Sequence, residues 1–208
     1  MLNYMHKGII IFGLCKLTKG ALDIFQRNNL VVYGILEDTE KWHRTEIEGV
    51  PILGSTNDPA FLTLLHEASP FFLAHGDPKK RQYCLNYLTK TAQIKSTAIS
   101  AIHPSATITH AMQLGAGNYI GAQVCLAAEV TIGNYTILYN GVIVEPQTTI
   151  HDWVSIGAGS IIGEEVTIKE RVTIGMGAKI MPGVTIGEAA SIRPAAVVTT
   201  NVKSGVQL

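Results

Sequence analysis

The chain has 208 residues, 47% of them hydrophobic, which is enough for one large or two small packed domains. Sixteen basic residues balance sixteen acidic ones, so no net field favours nucleic acid or an anionic membrane surface. Cys15, Cys84 and Cys125 are odd in number, far apart and without metal-ligand spacing, which reads as free thiols in a reducing compartment.

Near the start, the apolar run from Gly8 to Leu14 is too short and wrongly flanked, by Lys16 and Lys19, for a membrane span or a signal peptide. A cytoplasmic protein is the expectation. Lys7 to Gly13 predicts a buried parallel strand, and residues 19–28 a helix with Leu22, Ile24 and Phe25 on its apolar side. A second strand over 30–36 ends in Glu37-Asp38. A β-α-β unit with an acid after its second strand is the layout of a dinucleotide-type fold. A short strand or turn at 50–54, a helix at 58–67, a strand at 70–74 and a helix at 78–89 complete a small α/β domain. The domain spans residues 1–98, and a different pattern fills 99–208.

That pattern is a period of six. Ile102, Ile108, Leu114, Ile120, Leu126, Ile132, Leu138, Val144, Ile150, Ile156, Ile162, Ile168, Ile174, Ile180, Ile186, Ile192 and Val198 form seventeen aliphatic stops. Six fits neither a helix nor a simple alternating strand, so it is read as a repeat architecture. Four residues after most stops comes a small or branched residue, such as Val124, Thr136, Val142, Thr148, Val154 or Ser160. Each hexapeptide makes a short strand and a corner, and three close one turn of a coil. Stop and small residue both point inward, and successive turns stack about 4.8 Å apart as parallel strands. The glycine that often follows a stop, as in Ile156-Gly157 and Ile174-Gly175, is expected to supply backbone angles that a side chain resists.

The ladder resembles the left-handed parallel β-helix of the bacterial hexapeptide-repeat acyltransferases. A small Rossmann-like domain followed by a coil opening with Ile102-His103-Pro104-Ser105-Ala106 is similar to the nucleotide-sugar N-acetyltransferases, which acetylate UDP-linked amino sugars, and to the related sialic acid O-acetyltransferases. The resemblance implies acyl transfer to an amino or hydroxy group of a sugar or nucleotide-linked sugar. It also implies acetyl-CoA as the acyl donor and a homotrimer whose active sites lie between coils. In the first domain it points to Gly13, Lys16, Glu37, Asp38, Gly76 and Arg81 as contacts for the sugar nucleotide. In the coil it points to Ser155, Gly157, Gly175, Met176, Gly177 and Lys179 around the coenzyme.

Two departures stand out. The first turn reads Gly13-Leu-Cys-Lys-Leu-Thr-Lys-Gly20, with lysine and threonine where the family has glycines approaching phosphate. The family's catalytic histidine and carboxylate fall on Pro146-Gln147, neither of which takes a proton. His151, beside Asp152, is the substitute base that the sequence offers. A catalytically silent trimeric homologue that binds a ligand or partner is the alternative. Metal-dependent hydration is disfavoured, because His103, His110 and His151 fall on three different corners and no metal site is expected.

Overall fold

The computed structural model describes residues 8–66 and 69–208, without the side chain of residue 66. The expected helix over 58–67 therefore ends in part, and the strand expected from Lys7 begins, outside the described residues. By contacts the chain divides into two compact units, Met1–Ala101 and Ile102–Leu208.

The first unit is a five-stranded sheet in the order β3-β4-β2-β1-β5, where β1 is Ile9–Phe12, β2 Val32–Leu36, β3 Glu46–Ile47, β4 Val50–Gly54 and β5 Phe71–Leu73. β5, β1, β2 and β4 run parallel, and β3 closes the edge as an antiparallel partner of β4. All four residues of β1 are buried, as its Ile-Ile-Ile-Phe run requires of a central parallel strand. The three helices are short: α1 Lys16–Arg27, α2 Pro59–His66 and α3 Pro78–Asn86. Phe25 of α1 meets Phe72 edge-on at 5.6 Å, and Phe12 meets Phe71 in the same way at 6.2 Å. Helix α1 starts earlier than the hydrophobic pattern predicts. The Thr18 hydroxyl accepts from the Cys15 N–H at 2.9 Å and donates to the Gly13 carbonyl at 3.0 Å, so the turn is fastened before the apolar face begins. A π-helical turn, Tyr87–Thr91, extends α3, and Asp77 caps it by accepting from the Lys79 N–H.

The second unit is a coil of two-residue strands in three parallel sheets, which fits the left-handed parallel β-helix expected. Between these strands residue i pairs with residue i+18, as in Cys125 with Ile143 and Ile137 with Ser155, and at the end of the coil Ile186 and Ser191 pair sixteen residues on, with Val202 and Gln207. The fourteen stops from Ile120 to Val198 are each at most 2% exposed, while Ile102, Ile108 and Leu114 in the first turn are half-buried. The polar residues inside the coil are satisfied by backbone. The Thr136, Thr148 and Ser160 hydroxyls donate to the carbonyls of His151, Gly163 and Gly175, each fifteen residues on.

One expectation is corrected. Left-handed φ occurs three residues after the stop, at every such position from Gly117 to Ala195, and the occupants include Gln123, Glu129, Tyr135, Gln147, Trp153, Glu165 and Arg171. The glycines immediately after a stop have ordinary φ and are there for closeness. A Cβ at Gly157 would lie 2.4 Å from the Met176 nitrogen, and one at Gly175 would lie 2.3 Å from the Pro194 nitrogen.

Candidate functional site

The carboxyl ends of β1, β2, β4 and β5 open onto a cleft of about 830 Å³ in the first unit. A crevice at the carboxyl edge of parallel strands is the usual ligand position in such sheets. Leu14 and Cys15 follow β1, Glu37 to Thr39 follow β2, Thr56 and Asn57 follow β4, and His75 and Gly76 follow β5; Lys79, Lys80 and Tyr83 of α3 complete the wall. Of the residues marked by the sequence, Glu37, Asp38 and Gly76 line the cleft, whereas Gly13, Lys16 and Arg81 do not.

The reasons are local. Gly13 has φ +97°, and a Cβ there would stand 2.4 Å from the His75 ring, so its role is to let the imidazole lie against the chain. Arg81 is 1% exposed and donates to the carbonyls of His75 and Gly76 at 2.7 and 3.0 Å, fixing the loop from behind. Glu37 accepts from the Leu14 N–H (2.8 Å), the Thr39 N–H (3.0 Å) and the Thr39 hydroxyl (2.6 Å). Asp38 accepts from the Thr56 N–H and hydroxyl, both at 2.8 Å and both through Oδ1. His75 was missed as a site residue. Its imidazole makes no hydrogen bond among the described residues, and burial pushes it below the ordinary histidine value; Glu37 and Asp38 oppose this, Lys80 and Arg81 reinforce it. It is therefore a neutral donor and acceptor in the cleft. Cys15 turns its thiol to the Ala74 carbonyl at 2.9 Å, and burial pushes the Cys84 thiol up to about 12. Both thiols, like Cys125, are free.

In the coil, Pro146 is half-buried, and the Gln147 side-chain amide donates to Glu129 on the turn before, at 3.0 Å. His151 is half-buried, its ring has no hydrogen bond among the described residues, and its backbone N–H donates to the Ile168 carbonyl. Asp152 does not serve that ring. Its Oδ1 accepts from the Asn134 N–H at 2.7 Å, and Asn134 in turn accepts from the Ala116 N–H at 2.9 Å, so it is one link in a side-chain ladder along the corner. Tyr135 and Trp153 stack beside this ladder at 4.5 Å, and burial pushes the Tyr135 hydroxyl up to about 12.

The residues marked for the coenzyme lie along another corner. Ser155 is buried in its strand, while Met176 and Lys179 are exposed. Between them runs a bare strip that the sequence did not disclose as continuous. Gly141, Gly159 and Gly177 occupy the same corner position on three successive turns, and a Cβ at Gly159 or Gly177 would meet nothing within 4 Å. The Ala158 and Met176 N–H groups on this strip have no partner among the described residues, although their carbonyls accept from Gly177 and Ala195. A bare strip bearing such donors suits an extended amide-bearing chain. Among the described residues no cluster of His, Cys, Asp and Glu could hold a metal, and no helix is long and apolar enough to cross a membrane.

With this geometry in place, the comparisons are specific. Residues 165–200 match the family described as bacterial transferase hexapeptide (six repeats). Curated protein sequences give no match. Among solved structures, a histidine-to-alanine mutant of GDP-perosamine N-acetyltransferase from Caulobacter crescentus, in complex with CoA and GDP-perosamine, is 27% identical. It superposes with a TM-score of 0.87 over 97% of this chain and 93% of its own. The acetyltransferase domain of PglB from Neisseria gonorrhoeae, in complex with acetyl coenzyme A, covers 97% and 95% at TM-score 0.85 and 19% identity. WeeI from Acinetobacter baumannii covers the same shares at 0.81 and 20%. The last two bear on the fold alone. Residues 165–200 therefore carry the pattern of the hexapeptide-repeat transferases. Over 97% of its length the chain is similar in fold to the GDP-perosamine N-acetyltransferase.

Proposed function

We propose that the protein transfers an acyl group, acetyl in the first instance, from coenzyme A to an amino or hydroxy group of a sugar or nucleotide-linked sugar. The observation that carries this is the match to the GDP-perosamine N-acetyltransferase complex, which extends through both units at 97% coverage and 27% identity. In this reading the first unit, a reduced Rossmann-like sheet, holds the sugar nucleotide in its cleft, with Glu37, Asp38 and Gly76 on the wall. The coil holds acetyl-CoA along the strip from Gly157 to Gly177, where the Ala158 and Met176 N–H groups meet the pantetheine amides. The protein works as a homotrimer in the cytoplasm, in keeping with its free thiols.

The reaction needs the substrate nitrogen or oxygen to attack the thioester carbonyl. CoA leaves as the thiol, and one substrate proton goes to a base. His151 is that base, acting without help from Asp152. A second reading is favoured by the coil itself: with Pro146 and Gln147 at the outer corner and Gln147 committed to Glu129, the protein binds its ligands without turnover.

Acetyl-CoA titrated calorimetrically, followed by thiol release with GDP- and UDP-linked amino sugars, separates the two. Millimolar acetyl-CoA without heat of binding sinks both the transferase and the coenzyme site. Binding with turnover that His151→Ala abolishes, while acetyl-CoA affinity holds, supports the first reading. Binding with no thiol released by any sugar leaves the second.

A further inference from the structure

The cleft distributes its hydrogen-bonding capacity unevenly. In parallel α/β sheets the turn after the first strand is the common phosphate receptor, because its N–H groups point outward at the helix start. Here the donors of residues 13–15 are spent within the unit. The Gly13 N–H donates to the Leu36 carbonyl at 2.8 Å, the Leu14 N–H to Glu37 Oε2 at 2.8 Å, and the Cys15 N–H to Thr18 Oγ1 at 2.9 Å. The Glu37 carboxylate also places negative charge at the spot an anion would need. Lys16 begins α1 but lies off the cleft wall.

The opposite wall has the complementary character. Lys79 and Lys80 in the first turn of α3 line the cleft, are exposed, and form no ion pair among the described residues. His75 beside them offers an unbonded imidazole. Across the cleft, Asp38 spends only Oδ1 on Thr56, which leaves Oδ2 to accept from a hydroxyl. Tyr83, 76% exposed on the same wall, provides a flat face for a ring. Cations at one end and an unfilled carboxylate oxygen at the other suit a ligand that carries both a phosphoryl group and hydroxyls.

We propose that this cleft holds the phosphoryl group of a phosphorylated sugar on Lys79 and Lys80 beside His75, with a hydroxyl of the same ligand on Asp38, and that the N–H groups of residues 13–15 take no part. The inference rests on the reading above that the cleft is the sugar-nucleotide site, and it changes where the phosphate sits and which residues hold it.

The test is calorimetry on the full chain at low salt, with GDP against guanosine and UDP against uridine. The diphosphates should bind roughly tenfold tighter than the nucleosides, or more, the size of one charge-assisted hydrogen bond. Lys79→Ala/Lys80→Ala should erase that ratio and flatten its salt dependence while nucleoside affinity stays. Both lysines are exposed, so an unchanged melting temperature shows that the variant is folded. Loss of the ratio in Lys16→Ala but not in the double variant would overturn the proposal and return the phosphate to the turn. Nucleosides bound as tightly as diphosphates by the wild type would overturn it while leaving a sugar site. No binding of any of the four would overturn both readings.

Discussion

Gly175 and Gly177 sit two residues apart on one corner and are glycines for different reasons, which gives a sharp test of the coil. A Cβ at Gly175 would lie 2.3 Å from the Pro194 nitrogen and 2.7 Å from the Arg193 carbonyl carbon, both main-chain atoms of the next turn. Ordinary contact begins near 3.4 Å, so the stack must part locally by about 1 Å. Overpacking of this kind costs about 1–3 kcal/mol. At Gly177 the added carbon meets nothing within 4 Å, and φ +67° is the whole constraint. Equivalent corners carry Gln123, Trp153 and Arg171 at φ +57°, +64° and +60°, and asparagine tolerates this region better than most residues. Gly175→Ala should therefore lower the melting temperature by roughly 4–12 °C for a unit of this size, while Gly177→Asn stays near wild type. Scanning calorimetry with circular dichroism reads both. If Gly177→Asn costs as much as Gly175→Ala, left-handed φ and not stacking is the reason for the glycines, and the account of the coil is wrong.

Asp152→Asn keeps an oxygen for the Asn134 N–H and should leave stability unchanged, whereas Asp152→Ala should cost about 1–3 kcal/mol in chemical denaturation. Lost turnover in a fully stable Asp152→Asn variant would instead show that the carboxylate orients His151. Because His75 is held below its unfolded value of 6.5, the unfolded chain binds the extra proton; the stability gained from the neutral form is complete above pH 6.5 and declines as the pH falls below it, until the folded pKa is passed. Denaturant unfolding of His75→Gln between pH 7 and pH 5 should show the variant gaining on wild type as the pH drops, and parallel curves would refute the burial argument.

The coil was legible because a period of six survives without a gap, and every predicted stop occupies a strand. The sheet of the first unit was legible from Ile9–Phe12 and from the acids after Leu36, but β3 was not: Glu46-Ile47 is too short and too polar to show a period. The cleft was half legible. Glu37 and Asp38 announce themselves at the end of a strand, whereas His75 and Thr56 matter through partners far away in sequence, Gly13 and Asp38. Arg81 stands among the contacts that the resemblance implies, and only its burial and hydrogen bonds show that it serves the loop carbonyls. The strip of Gly141, Gly159 and Gly177 was invisible because its members are eighteen residues apart and mixed with glycines of the other kind.

That spacing of eighteen also determines what kind of error the coil can detect. An aliphatic residue waits at the same place on all three sides, so a chain slipped by one hexapeptide would present the interior with nearly the same side chains. The outside would be moved by a third of a turn, carrying every external group to the wrong side. Polar links between turns would register the shift, among them Asn134 with Asp152, Ala116 with Asn134, Ala122 with Asn140, Gln147 with Glu129 and Gln123 with Ser105. Each joins residues eighteen apart, and together they form the ratchet that lets a nearly featureless interior carry a surface with fixed addresses.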